Sequence, residues 1–163
     1  MSFPQFNTNS KLIIMKKLIS IVILLFSIVI TAQNVNKEKK AIKNVIQTSY
    51  VNGLMNEGDN EKIDFGIHPD FRILEYKPTF GLRIYSLSEW KSNNEIRKRT
   101  RLLPRNQDNL VSVKFKRIDV TGTAAIAKVK FYAGNKFLYI DYIALYKFKD
   151  GWKMVNKIFY KFN

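Results

Sequence analysis

Tyr142-Ile143-Ala144-Leu145-Tyr146-Lys147-Phe148, then Lys149-Asp150-Gly151, then Trp152-Lys153-Met154-Val155 is the stretch that decides the fold of this 163-residue chain. Two β-rich runs flank an Asp-Gly turn, the composition of a hairpin. Working back from it, the same punctuation recurs at Gly134-Asn135 and at Thr121-Gly122. The last third therefore divides into four strands: Leu110–Val120, Thr123–Tyr132, Lys136–Phe148 and Trp152–Phe162. Consecutive strands joined by tight turns make an antiparallel meander.

Side chains alternate faces along a strand, so parity assigns them. In the last strand Lys153, Lys157 and Lys161 alternate with Trp152, Met154, Asn156, Ile158 and Tyr160. Lys128 and Lys130 alternate with Ala125, Ala127, Val129 and Phe131, and Lys114 and Lys116 with Val111, Val113 and Phe115. Three strands thus turn lysines outward, as on a solvated sheet face. The Lys-Asp-Gly turn allows two registers. With Gly151 left-handed after a type I turn, Phe148 faces Trp152. Leu138, Ile140, Tyr142, Ala144, Tyr146 and Phe148 then share the inner face with Asn156 and Tyr160, and Asp141 lies outside, diagonal to Lys157 and Lys161. A two-residue turn reverses this and puts Asp141 inside. The first register separates apolar from charged residues more cleanly and is the expected one.

Before the meander the period is helical. Ile42, Val45, Ile46, Tyr50 and Leu54 recur at spacings of three and four, with Asn36 to cap the start and Gly58 to end the helix. Residues Asp59 to Ile67 form a short second helix that His68-Pro69 closes, since the residue before proline avoids the helical region. Phe71–Tyr76 and Leu82–Leu87 are short strands, and Ser88 caps a third helix running toward Thr100. The class is α+β, with helices covering one face of a curved antiparallel sheet.

The N-terminus has another purpose. Met15-Lys16-Lys17 precedes fifteen uncharged residues, Leu18 to Ala32. Such a helix rises only ~22 Å against a hydrocarbon core of ~30 Å. The pattern is that of a secretory signal peptide cut near Ala32, with residues 1–14 a misassigned upstream extension and 33–163 a single domain. A retained membrane anchor is the alternative. Export, to periplasm or exterior, is the expected localisation.

Composition narrows the chemistry. The chain carries 28 Lys+Arg against 13 Asp+Glu, a net charge of +15, with no Cys and one His. Disulfides, thiolate metal sites and a cysteine nucleophile are excluded, and no metal or cofactor is implied. Losing Lys11, Lys16 and Lys17 with the leader still leaves a strongly basic chain. Nucleic acid is not the expected partner of an exported protein; an anionic envelope component is.

Residues Ala41–Leu54, the segment Phe65-Gly66-Ile67-His68-Pro69-Asp70-Phe71, the run Ile118–Ala127 and the hairpin Tyr142–Val155 together resemble the putative lumazine-binding family of the nuclear transport factor 2-like superfamily, common as small exported proteins in Bacteroidetes. Asp-Gly-Trp-Lys is a superfamily marker. The resemblance implies a cone of helices wrapped on a curved sheet, with a pocket in its mouth. Relatives such as ketosteroid isomerase and scytalone dehydratase use a pocket Asp or His as acid–base group. Many homologues also carry a histidine on the last strand, where this chain has Asn156 and Ile158.

The expected pocket residues are Tyr50, His68, Trp90, Tyr142, Tyr146, Asn156 and Tyr160, suited to a small aromatic or amphipathic molecule. The tyrosines read equally as core, Trp90 as an anchor of the third helix, and His68 as a helix-end cap. Acid–base catalysis would fall to His68, or to Asp141 if the register reverses. Arg97, Lys98, Arg99, Arg101 and Arg105 form a basic cluster, either a polyanion contact or a solvated loop. A homodimer through the sheet completes the expected partners. The favoured reading is a non-catalytic binding domain; an isomerase- or dehydratase-like enzyme of the same fold is the alternative.

Overall fold

The computed structural model describes Met15 and residues 35–162. The chain divides into two units, Met1–Lys37 and Glu38–Asn163. In the first, Met15 is exposed and residues 35–37 are helical. The upstream extension and the leader otherwise lie outside the described residues.

The second unit opens with helix α1, α-helical over residues 38–45 and π-helical over Ile46–Glu57. Ile42, Ile46, Tyr50 and Leu54 are each no more than 1% exposed, so the three-and-four spacing marks its buried face. Gly58 ends it in the left-handed conformation, φ 69°, as its lack of a Cβ permits. Helix α2 (Asn60–Gly66) starts at Asp59, whose carboxylate accepts the Glu61 and Lys62 N–H groups.

Strands β1 (Ile67–Lys77) and β2 (Gly81–Ser86) form a hairpin, followed by helix α3 (Leu87–Arg99). The cap of α3 is Ser86 rather than Ser88. Ser86 stands three residues before Glu89, and each side chain takes the other's backbone N–H, a reciprocal capping box. The meander then follows as β3 (Val111–Thr121), β4 (Ala124–Ala133), β5 (Lys136–Phe148) and β6 (Gly151–Lys161). The six strands lie in the order β2-β1-β6-β5-β4-β3. The sheet is mixed rather than wholly antiparallel, because β1 joins β6 in parallel.

Two local features set which side chains face the helices, and both differ from the expected register. Phe148 pairs with Gly151 and Lys147 with Trp152, so the turn has two residues. That reverses the parity of β5: Asp141, Ile143 and Leu145 face inward and are at most 1% exposed. Further on, Leu145 pairs with Met154 but Ala144 with Asn156, leaving Val155 as a bulge. One extra residue exchanges the faces of everything beyond it. Trp152 and Met154 point inward before the bulge, and Lys157 and Phe159 after it. Tyr142, Tyr146 and Tyr160, expected inside, are 37%, 52% and 64% exposed on the outer face. Asn156, paired with Ala144, belongs to that outer face as well.

Candidate functional site

Helices α1 and α3 close over the inner face and leave a cavity of about 200 Å³. Helix α1 contributes Tyr50 and Met55, α3 Trp90, β1 Ile73 and Glu75, and β2 Tyr85. The meander adds Phe131, Tyr139, Lys157 and Phe159. Most of this wall is aromatic.

Its polar floor is a closed network. Lys157 Nζ donates to the Tyr50 hydroxyl at 2.8 Å and lies 3.3 Å from Asp141 Oδ1. The Tyr50 hydroxyl donates to Asp141 Oδ2 at 2.9 Å. The same amine sits over the Phe159, Tyr50 and Tyr139 rings, at 4.6, 5.2 and 6.0 Å from their centroids, a cation–π arrangement. Asp141 has no exposed surface and lies beneath the lining, so Lys157 and Tyr50 are the members of the network that line the cavity.

Burial pushes the Lys157 amine below the ordinary lysine range, and the opposing pull of Asp141 does not restore it. Burial, reinforced by the Asp141 charge, raises the Tyr50 hydroxyl well above its usual value. Tyr50 therefore remains a proton donor at neutral pH. A second polar station lies on β1 and β2, where the Tyr85 hydroxyl donates to Glu75 Oε2 at 2.8 Å. The cavity thus offers the Lys157 ammonium at one station, a carboxylate acceptor at the other, and ring faces around both.

Of the residues expected in the pocket, the structure brings Tyr50 and Trp90 together there. Tyr142 and Tyr146 line a separate, open depression of about 690 Å³ on the outer face, beside Lys128 and Arg117. Lys128 Nζ stands 5.1 Å over the Tyr142 ring. Tyr160 packs edge-on against Phe162 at 4.9 Å, away from the cavity. His68 is neither in the cavity nor a helix cap. It belongs to β1, stacks 5.0 Å from Phe148, and accepts the Asp70 N–H on Nδ1.

The basic cluster also separates. Arg105 donates from Nε to the Met55 carbonyl at 2.9 Å and from its backbone to Asn56 O at 2.8 Å. It closes the C-terminal end of α1, where orphan carbonyls and the helix dipole favour a cation. Arg97 holds Asn94 Oδ1, and Lys98 pairs with Glu95 at 3.0 Å. Arg99 and Arg101 face solvent.

Parity turned Lys157, Tyr139 and Phe159 outward, and the sequence reading assigned no face to Glu75 or Tyr85. The compact Asp-Gly turn was the available signal for the inward Asp141; the Val155 bulge that turns Lys157 inward has no signature in the sequence. Among the described residues no three His, Asp or Glu side chains converge in a metal-binding group, and no helix is long and apolar enough to cross a membrane.

Solved structures share this architecture. An NTF2-like protein of unknown function from Silicibacter pomeroyi superposes with a TM-score of 0.63 at 13% identity, over 78% of this chain and 98% of that one. One from Shewanella baltica gives 0.57 at 20% identity, over 78% and 95% of the two chains. Another from Methylobacillus flagellatus gives 0.57 at 22%, over 78% and 94%. At these identities the likeness establishes the fold, an α+β cone of the NTF2-like kind. Comparison with functionally curated proteins gives no match. The family model described as "Putative lumazine-binding" matches residues 37–160, nearly the whole of the second unit. The chain therefore belongs to the putative lumazine-binding family, within the nuclear transport factor 2-like fold.

Proposed function

We propose that this chain is an exported small-ligand-binding domain whose ligand occupies the aromatic cavity between α1, α3 and the sheet. The family and the fold both point to a small-molecule ligand. The observation that carries the finer reading is the Lys157–Tyr50–Asp141 network at the cavity floor. A buried ammonium that lines an apolar space, with an N–H left over from its two partners, binds an oxygen acceptor far better than an exposed one does, because water competes less there. The ligand is a small aromatic or amphipathic molecule with a carbonyl or carboxylate oxygen. Export rests on the Met15–Ala32 leader pattern. The exposed aromatic and basic outer face suits a second copy or an anionic envelope component.

A fragment panel read by thermal shift tests this. A fragment at a hundredfold excess over its dissociation constant adds about 2.7 kcal/mol of stability. Met55→Trp fills the cavity from α1 and is expected to abolish that gain while circular dichroism stays native. A shift unchanged in M55W would place the ligand elsewhere.

The inward Asp141 favours a second reading, an acid–base enzyme. Lys157 and Tyr50 would then touch the substrate and Asp141 would position them. Turnover of a carbonyl substrate that is lost in Tyr50→Phe, with binding retained, would select this reading over simple binding.

A further inference from the structure

We propose that Lys157 captures small aldehydes or ketones as a reversible imine inside the aromatic cavity. The inference rests on the cavity being the ligand site and names the chemistry of what enters it. Three observations converge on this amine. It lines a cavity walled by aromatic side chains, so an aryl carbonyl is drawn to it by apolar burial and held at short range. It is 6% exposed, so little water solvates its charged form. It also touches a phenol and a carboxylate that are hydrogen-bonded to each other, which together carry protons to and from the reacting atoms.

The steps balance within this set. Lys157 first passes a proton to Asp141 and becomes a neutral amine. The Nζ lone pair attacks the carbonyl carbon; the C–N bond forms, and the C=O π electrons move to oxygen. That oxygen takes the Tyr50 proton, which Asp141 replaces. The nitrogen then returns a proton to the Asp141 carboxylate. The hydroxyl is protonated through Tyr50 and leaves as water, and the nitrogen lone pair closes the C=N bond. The product is an iminium facing an ionised Asp141, with no oxidant or reductant consumed. Burial that favours the neutral amine helps the first step, as for other desolvated nucleophilic lysines. Lys128 is the internal comparison: it too lies over a tyrosine ring, but in the open outer depression and without a carboxylate partner among the described residues.

The test treats the full chain with benzaldehyde and sodium cyanoborohydride at neutral pH, with peptide mass spectrometry to locate reduced adducts. Lys157 is expected to be alkylated at least about tenfold faster than Lys128 or Lys116. Tyr50→Phe should slow Lys157 about a hundredfold, the lower end of what a positioned acid contributes, and leave the outer lysines unchanged. Lys128→Met should leave Lys157 labelling untouched and guards against effects of misfolding. Labelling that follows exposure alone, with Lys157 no faster than Lys128, overturns the proposal. Benzyl alcohol separates the two readings. If it stabilises the protein, and loses that effect in M55W, while benzaldehyde gives no Lys157 adduct, imine formation fails and the cavity reading stands. If neither probe binds, both fail.

Discussion

Asp141→Ala is expected to destabilise the fold by about 3–5 kcal/mol in urea unfolding, because it leaves the Lys157 amine buried without its counter-charge. The loss comes from the stranded partner more than from the value of the pair. Lys157→Met should show a similar loss, with Asp141 now the stranded group. The double variant D141L/K157M removes both charges and fills their space with apolar atoms. It is expected to recover nearly all of the loss, and replacement of buried pairs in this way has stabilised other proteins by about 1–4 kcal/mol. Additive losses in the double variant would contradict a coupled pair. The pH dependence follows from the depressed Lys157 amine. Between its folded value and the ordinary ~10.4, the unfolded chain holds more protons than the folded one, so stability rises with pH across that window. Tyr50, raised by burial, acts the opposite way. Its contribution is complete below ~10 and fades above it. K157M should therefore remove the alkaline rise and keep the later fall.

Trp152→Ala should cost about 3–5 kcal/mol, the range for truncating a fully packed aromatic residue. Trp152 is 3% exposed, and its indole N–H donates to Glu38 at 2.6 Å. Lys147, its partner across the hairpin, reaches the same carboxylate at 2.7 Å. The hairpin is thus tied to the start of α1 through one acidic side chain. Trp152→Phe keeps most of the apolar volume and loses the hydrogen bond, so it should cost only about 1–1.5 kcal/mol. Tyr160→Ala, on the exposed outer face, should stay within about 0.5 kcal/mol. Chemical denaturation of the three variants checks this, and a large effect at Tyr160 would contradict the register. In the Asp-Gly-Trp-Lys segment, Trp152 thus docks the hairpin on the helix, and no residue of the segment lines the cavity.

The helix order, the buried stripe of α1 and the four-strand meander were legible because each follows a local period. Gly58 and the Asp-Gly turn announced their own positions. The facing of β5 and β6 was not legible, and the reason is physical. Two turns compatible with Lys149-Asp150-Gly151 differ by one residue, and one residue inverts a strand. The rule that separated apolar from charged residues chose the wrong turn here, because this protein buries a charged pair in its pocket. The Val155 bulge then reversed the second half of β6 again. That places Lys157 inside, where alternation read it as a solvent lysine. Tyr50 and Trp90 lie on the cavity wall where helical spacing put them, because that spacing tolerates such shifts. Arg105 was read with the basic cluster, as a polyanion contact or a solvated loop, because its acceptors, the last carbonyls of α1, are fifty residues away at Met55.

The most direct measurement is NMR of the side-chain signals in lysine-labelled protein, titrated with a fragment that gives a thermal shift. The expected result is a large, saturable change at Lys157, with Lys128 and Lys130 on the outer face unmoved. A response confined to Lys128 and its neighbours, with Lys157 silent at saturation, would put the ligand in the outer depression and contradict the cavity as the functional site.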